Sequence, residues 1–136
     1  MRTIKFRGKR IDNGEWVYGD YHRRAGNVHT IIAMEPDEDG KVCYALNQVV
    51  PGTVGQFTGL LDKNGKEIYE GDVVSYRYPI RRPDSFVRNE INYIGFRKSE
   101  CKFIVVCKNR HHDLHEPYNL QGEVIGNIHE RSKLKV

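Results

Sequence analysis

The chain has 136 residues, 38% of them hydrophobic, and 22 Lys and Arg against 18 Asp and Glu give a formal charge of +4. That length can hide roughly two thirds of the unfolded surface, enough for one hydrophobic core, with two very small β-modules as the alternative. No apolar run approaches the ~20 residues needed to cross a bilayer. The opening Met1-Arg2-Thr3-Ile4-Lys5-Phe6-Arg7 lacks the apolar centre of a signal peptide, so a cytoplasmic protein with no membrane partner is expected. Cys43, Cys101 and Cys107, an odd number, fit free thiols in a reducing compartment. The supply of Val, Ile, Tyr, Phe and Thr favours strands, while alanine, the best helix former, occurs only at Ala25, Ala33 and Ala45.

In chain order, Ile4 and Phe6 alternate with Lys5 and Arg7, the period of a half-buried strand. Asn13-Gly14 supplies a hairpin turn, and Trp16-Val17-Tyr18 returns, so residues 3–22 read as a first hairpin anchored by Trp16. A third strand is expected over Val28 to Met34 and a turn at Pro36-Asp37-Glu38-Asp39-Gly40. A fourth strand over Lys41 to Leu46 would set Val42 and Tyr44 on one face, Cys43 and Ala45 on the other. Residues 53–76 then read as strand, Asn64-Gly65 turn, short return at Ile68-Tyr69, a turn at Glu70-Gly71-Asp72, and a longer strand from Val73. Pro79 and Pro83 bound an excursion that cannot lie inside a central strand. Phe86 to Phe96 and Lys102 to Lys108 are further strands, with a short helix over 84–92 as an alternative to the first. A His-rich loop follows, then a closing strand over Gly122 to Ile128 and a basic tail.

Short strands, Gly-rich turns and no 3.6-residue pattern predict a mainly β protein. The size and turn spacing of 53–130 suggest an SH3-like small barrel, with an N-terminal β-hairpin region packed on it. The expected division is 1–52 and 53–136, with one compact domain over 1–131 as the alternative.

Three stretches resemble the YopX family of phage and prophage proteins. They are the opening Ile4-Lys5-Phe6-Arg7-Gly8-Lys9, the long run from Thr53 through Gly59-Leu60-Leu61-Asp62-Lys63-Asn64-Gly65 to Val74, and the closing Glu123-Val124-Ile125-Gly126-Asn127-Ile128. The resemblance implies a predominantly β protein with an SH3-type barrel in its C-terminal part, made in a bacterial host cell from phage or prophage genes. It implies no activity and offers no motif for Arg77 to His115.

Candidate chemistry lies mainly in that unmatched part. From Arg77 to Arg110 nine Lys and Arg face only Asp84, Glu90 and Glu100, a net +6, while the rest of the chain carries −2. Arg77, Arg81, Arg82, Arg88, Arg97 and Lys98, interleaved with Tyr78 and Phe86, are candidates to bind a partner. Cations that meet phosphates beside rings that stack on bases suit nucleic acid. The same surface could serve another protein or a second copy of the chain, because exposed strand edges invite pairing. Cys107, His111, His112 and His115 are weak candidates for Zn²⁺, but the spacing with Cys101, C-x5-C-x3-H-H-x2-H, lacks a close cysteine pair. Asp62, Glu67, Glu70 and Asp72 sit at turn positions where acids serve local hydrogen bonding. Neither a catalytic group nor a cofactor is expected. The reading is a non-enzymatic accessory protein acting by binding, as a homo-oligomer or with another protein, with nucleic-acid binding through 76–110 as the alternative.

Overall fold

The computed structural model describes residues 2–78, 88–107, 110–114 and 122–130. It divides into two units, Met1–Phe57 and Thr58–Val136. The described residues form eleven strands and two single 3₁₀ turns.

In the first unit, β1 (Phe6–Lys9), β2 (Trp16–Arg24), β3 (Val28–Pro36) and β4 (Val42–Gln48) follow one another as antiparallel neighbours. The expected turns form where the residues allow positive φ. Gly14 and Gly40 adopt φ of 70° and 79°, and the Asp37 carboxylate accepts the N–H groups of Asp39 and Lys41 at 2.9 and 2.8 Å. β5 (Gly55–Leu61) starts in this unit and pairs with β1 through Phe6 and Arg7. The core lies on one face, where Val17, Ile31, Ala33 and Val49 pack together with Phe6, Tyr21 and Val54 against them. On the opposite face the Arg7 guanidinium lies 4.7 Å from the Trp16 ring, a cation–π contact that lets a buried cation sit on a sheet. Trp16 is thus an anchor, as its size suggests, but through Arg7 and on the far side from the aliphatic core.

The second unit continues β5 into β6 (Glu67–Tyr69) and adds β7 (Asp72–Tyr78), β8 (Arg88–Arg97), β9 (Lys102–Cys107), β10 (Arg110–Asp113) and β11 (Gly122–Asn127). The last five make one sheet in the order β10-β9-β8-β7-β11. Its core gathers Ile68, Val74, Ile94, Val105 and Val124, with Leu60 and Leu114 packed against them. Side chains buried this far contribute about 1.5–3 kcal/mol each. Two carboxylates of the acidic turns are spent on backbone. Asp62 Oδ1 accepts from the N–H groups of Asn64 and Lys66 at 2.8 and 2.9 Å, its Oδ2 from that of Val124 at 3.0 Å. Asp72 Oδ2 accepts the Tyr69 N–H at 2.7 Å. Gly71, at φ 90°, donates to the Ile94 carbonyl and accepts from the Ile128 N–H.

The expected SH3-like barrel is not what forms. A barrel closes when its end strands pair, and strand tilt and stagger must accommodate the closure. Here β10 and β11 are opposite ends of an open sheet, and β5 and β6 hydrogen-bond outside it. The protein is mostly β, but its sheets are neither closed nor curled. Of the two readings of the stretch before Phe96, the strand is the one that forms from Arg88 onward, the earlier part lying outside the described residues. One local expectation changes: the His-rich loop begins as β10, paired in register His111 to Val106 and His112 to Val105.

Glu70 stands in the tight turn before Asp72, and partial burial pushes its carboxyl pKa up. The folded state therefore favours the protonated acid. Its contribution is fully present below the ordinary carboxyl range and is lost as pH rises through the raised value. Glu70→Gln is expected to stabilise the fold at neutral pH, by less than about 1 kcal/mol because solvent still screens the group, read as a rise in the thermal midpoint. The gain should vanish near pH ~4; an equal gain at both pH values in melts of the two proteins would contradict it.

Candidate interaction site

The β3–β4 hairpin has two unlike faces. One contributes Ile31 and Ala33 to the first core. The other carries Met34, Val42, Tyr44 and Leu46, which alternate with core-side residues yet remain between 61% and 70% exposed. The register sets Met34 beside Tyr44, Ile32 beside Leu46 and Pro36 beside Val42, so the apolar surface is continuous across both strands. Together the four exposed side chains offer on the order of 500 Å², the scale at which an apolar patch marks an interaction site. Near the turn both faces are open, since Glu35 and Cys43 opposite are exposed too.

β4 is also the end of its sheet. The Asp37 N–H donates to the Lys41 carbonyl and the Val49 N–H to the His29 carbonyl, at 2.7 and 2.9 Å. By the alternation of an antiparallel ladder, residues 43, 45 and 47 then turn their backbone groups to β3, and 42, 44 and 46 turn theirs outward. Past Leu46 the edge is occupied. Ile11 donates to the Gln48 carbonyl, Val50 donates to the Lys9 carbonyl, and Arg10 bridges Val49. Natural edges are blunted by shortness, charge, proline or a bulge. β6 has three residues, β10 reads Arg-His-His-Asp, and β11 shifts register between Val124 and Gly126. β4, Val-Cys-Tyr-Ala-Leu-Asn-Gln, has none of these devices.

The described residues of the expected basic site fall in two places. Arg77 and Tyr78 end β7, where Tyr78 is in register with Arg88 at the start of β8. Arg97 ends β8 and Lys98 opens the following 3₁₀ turn. Nine residue steps along β8 separate Arg88 from Arg97, a span of about 30 Å. Arg81, Arg82 and Phe86 lie outside the described residues. Glu100 binds Arg97 at 3.2 Å and Lys102 at 2.7 Å, and these partners hold its carboxyl below the usual range, Lys102 foremost. Two cations of the segment are thus engaged locally. The aromatic side is more open, with Tyr93 and Phe96 exposed and Phe96 edge-on to Phe103 at 5.3 Å. Of the metal candidates, Cys107 ends β9 in register with Arg110, His111 and His112 lie in β10, and His115 is outside the described residues. Among the described residues no group of three or more His, Cys, Asp or Glu could hold a metal ion, and no helix is long and apolar enough to cross a membrane.

The family model described as YopX protein matches residues 5–134. The chain belongs to the YopX family. A crystal structure of protein EF1440 from Enterococcus faecalis is similar to it, with a TM-score of 0.58 and 21% identity over 98% of each chain. At that identity the likeness shows the fold alone. No curated protein matches.

Within this YopX chain, the long central stretch that carries the family likeness spans β5 to β7, where Asp62, Gly71 and Asp72 hold backbone in place. The β3–β4 face was missed by sequence reasoning, although a signal existed. From Val42 to Leu61 the chain has no Lys, Arg, Asp, Glu or His. A fold with so charged a surface elsewhere leaves that run uncharged at a sheet edge.

Proposed function

We propose that this phage or prophage protein is a non-catalytic accessory protein that acts by binding, and that self-association through the β3–β4 hairpin is its mode. The observation that carries this reading is the open apolar face of Met34, Val42, Tyr44 and Leu46 on an edge strand without protection. Burying such a face removes apolar surface from water, and pairing such an edge satisfies its open N–H and C=O groups. The area is at the low end for a specific interface, so association should be reversible and depend on concentration.

Sedimentation equilibrium over a wide concentration range is the test. The wild-type chain is expected to exceed its monomer mass of 15.8 kDa, and Tyr44→Lys to weaken association about tenfold or more. A wild-type chain that stays monomeric at the highest concentration would overturn self-association. Tyr44 is exposed, so a matched far-UV spectrum and melt would show that folding is kept. Nucleic-acid binding through 76–110 has less behind it. Exposed Tyr93 and Phe96 favour it, whereas the roughly 30 Å of strand between Arg88 and Arg97 and the pairing of Arg97 and Lys102 with Glu100 do not.

A further inference from the structure

Resting on that reading, we infer the arrangement of the pair: two copies join β4 to β4 antiparallel, about a two-fold axis through Tyr44. The inference comes from which backbone groups are open. Val42, Tyr44 and Leu46 face outward, and the next outward residue, Gln48, already has its carbonyl taken by the Ile11 N–H at 3.0 Å. Two identical antiparallel strands can form hydrogen-bonded pairs only when outward residues oppose outward residues, so the two-fold axis passes through a residue and not between two. Centring on Tyr44 opposes Val42 to Leu46 of the other copy, Tyr44 to Tyr44, and Leu46 to Val42. Every open N–H and C=O of the window is then matched. Centring on Ala45 instead would call on Gln48, where Lys9, Arg10 and Ile11 already lie alongside.

Side chains and charges agree with this register. On the exposed face it lays Tyr44 against Tyr44 between two Val–Leu pairs, the kind of cross-strand pairing that stabilises a sheet, and Met34 flanks each tyrosine from β3. On the other face Cys43 opposes Ala45. No charged side chain enters the window, so none is desolvated. Beyond Val42 the chain turns through Asp37, Glu38 and Asp39, and this acidic turn arrives at the partner copy's Lys9 and Arg10 end of β1. The open edge is therefore as long as the strand it would accept, and acid meets base where it stops, with Arg10 already sharing its charge with Asp12 of its own turn.

The test uses the full chain with Cys43→Ser, Cys101→Ser and Cys107→Ser, to which single cysteines are returned. Across the axis two Tyr44 Cα atoms would lie about 5.5 Å apart, within disulfide reach. Two Leu46 positions would be offset by four residues, about 13 Å. Tyr44→Cys is expected to give a disulfide-linked dimer under mild oxidation. Leu46→Cys alone should not, and Val42→Cys with Leu46→Cys should. If the wild-type chain associates but Leu46→Cys cross-links as readily as Tyr44→Cys, the register is wrong while self-association stands. If the wild-type chain is monomeric throughout, the function proposed above fails and this arrangement with it.

Discussion

Asp62→Ala is expected to destabilise the second unit by about 3–4 kcal/mol, read as a fall in the urea midpoint. The carboxylate accepts three backbone N–H groups, from Asn64, Lys66 and Val124. Asn64 and Lys66 are exposed, so water replaces part of what they lose. Val124 is buried in the core, and its N–H would be left without an acceptor, which alone costs about 1–3 kcal/mol. Asp62→Asn separates the contributions. It keeps one oxygen for the turn but presents an amide N–H₂ toward the Val124 N–H, so it should fall between wild type and alanine. Equal, small losses below about 1 kcal/mol for both variants would show that the carboxylate is not what joins the β5–β6 turn to β11.

The other large effect is expected at Gly19. β2 pairs with β1 through Trp16 to Gly19 and with β3 from Asp20 onward, so Gly19 is where the strand changes partner. A Cβ there would stand 2.0 Å from the Ile32 carbonyl oxygen and 2.8 Å from its carbon. Those are backbone atoms, and no rotamer change can move them aside. Gly19→Ala should therefore cost about 3 kcal/mol or more and shift the melt of the first unit, or prevent its folding. Gly26→Ala is the control. Its φ of 77° strains an alanine, but nothing lies within 4 Å, so about 1 kcal/mol is expected. If the two variants melt alike, the close approach of β2 to β3 at Gly19 is wrong.

What could be read from the sequence was local. The turns at Asn13-Gly14, Asp37 to Gly40 and Asp62 to Gly65 were legible because each is set by residues within five positions, through positive φ or a side-chain acceptor. Strand positions followed from alternation, which needs no partner to be known. Closure did not. Whether β10 and β11 meet depends on pairings between residues far apart in the chain, and a regular series of short strands is compatible with an open sheet or a closed one. β10 was missed because Arg-His-His-Asp has no apolar alternation, and its strand comes from pairing with the hydrophobic run of β9.

The β3–β4 face was passed over for a related reason. Charge is conspicuous in a sequence, and it drew the reading to Arg77 and the residues after it. Exposure is not written in a sequence. Val42 and Tyr44 read only as one face of a strand, and it takes the fold to show that among the described residues nothing covers them or Leu46. The carboxylates were read correctly as structural at Asp62 and Asp72, because Asp at the head of a turn has backbone donors within reach whatever the fold.

The bridge between Arg10 and Val49 has a further consequence. An uncharged strand with an apolar face is the raw material of fibrils, which grow because each arriving molecule leaves another open edge behind it. Here the first turn of the chain docks against the far end of the same strand and acts as an end-stop. Once Val42, Tyr44 and Leu46 are matched by their own copies, no outward backbone group of the window is left to recruit a third chain. The same few hydrogen bonds that finish the first hairpin thus convert a hazardous edge into one that can be used once.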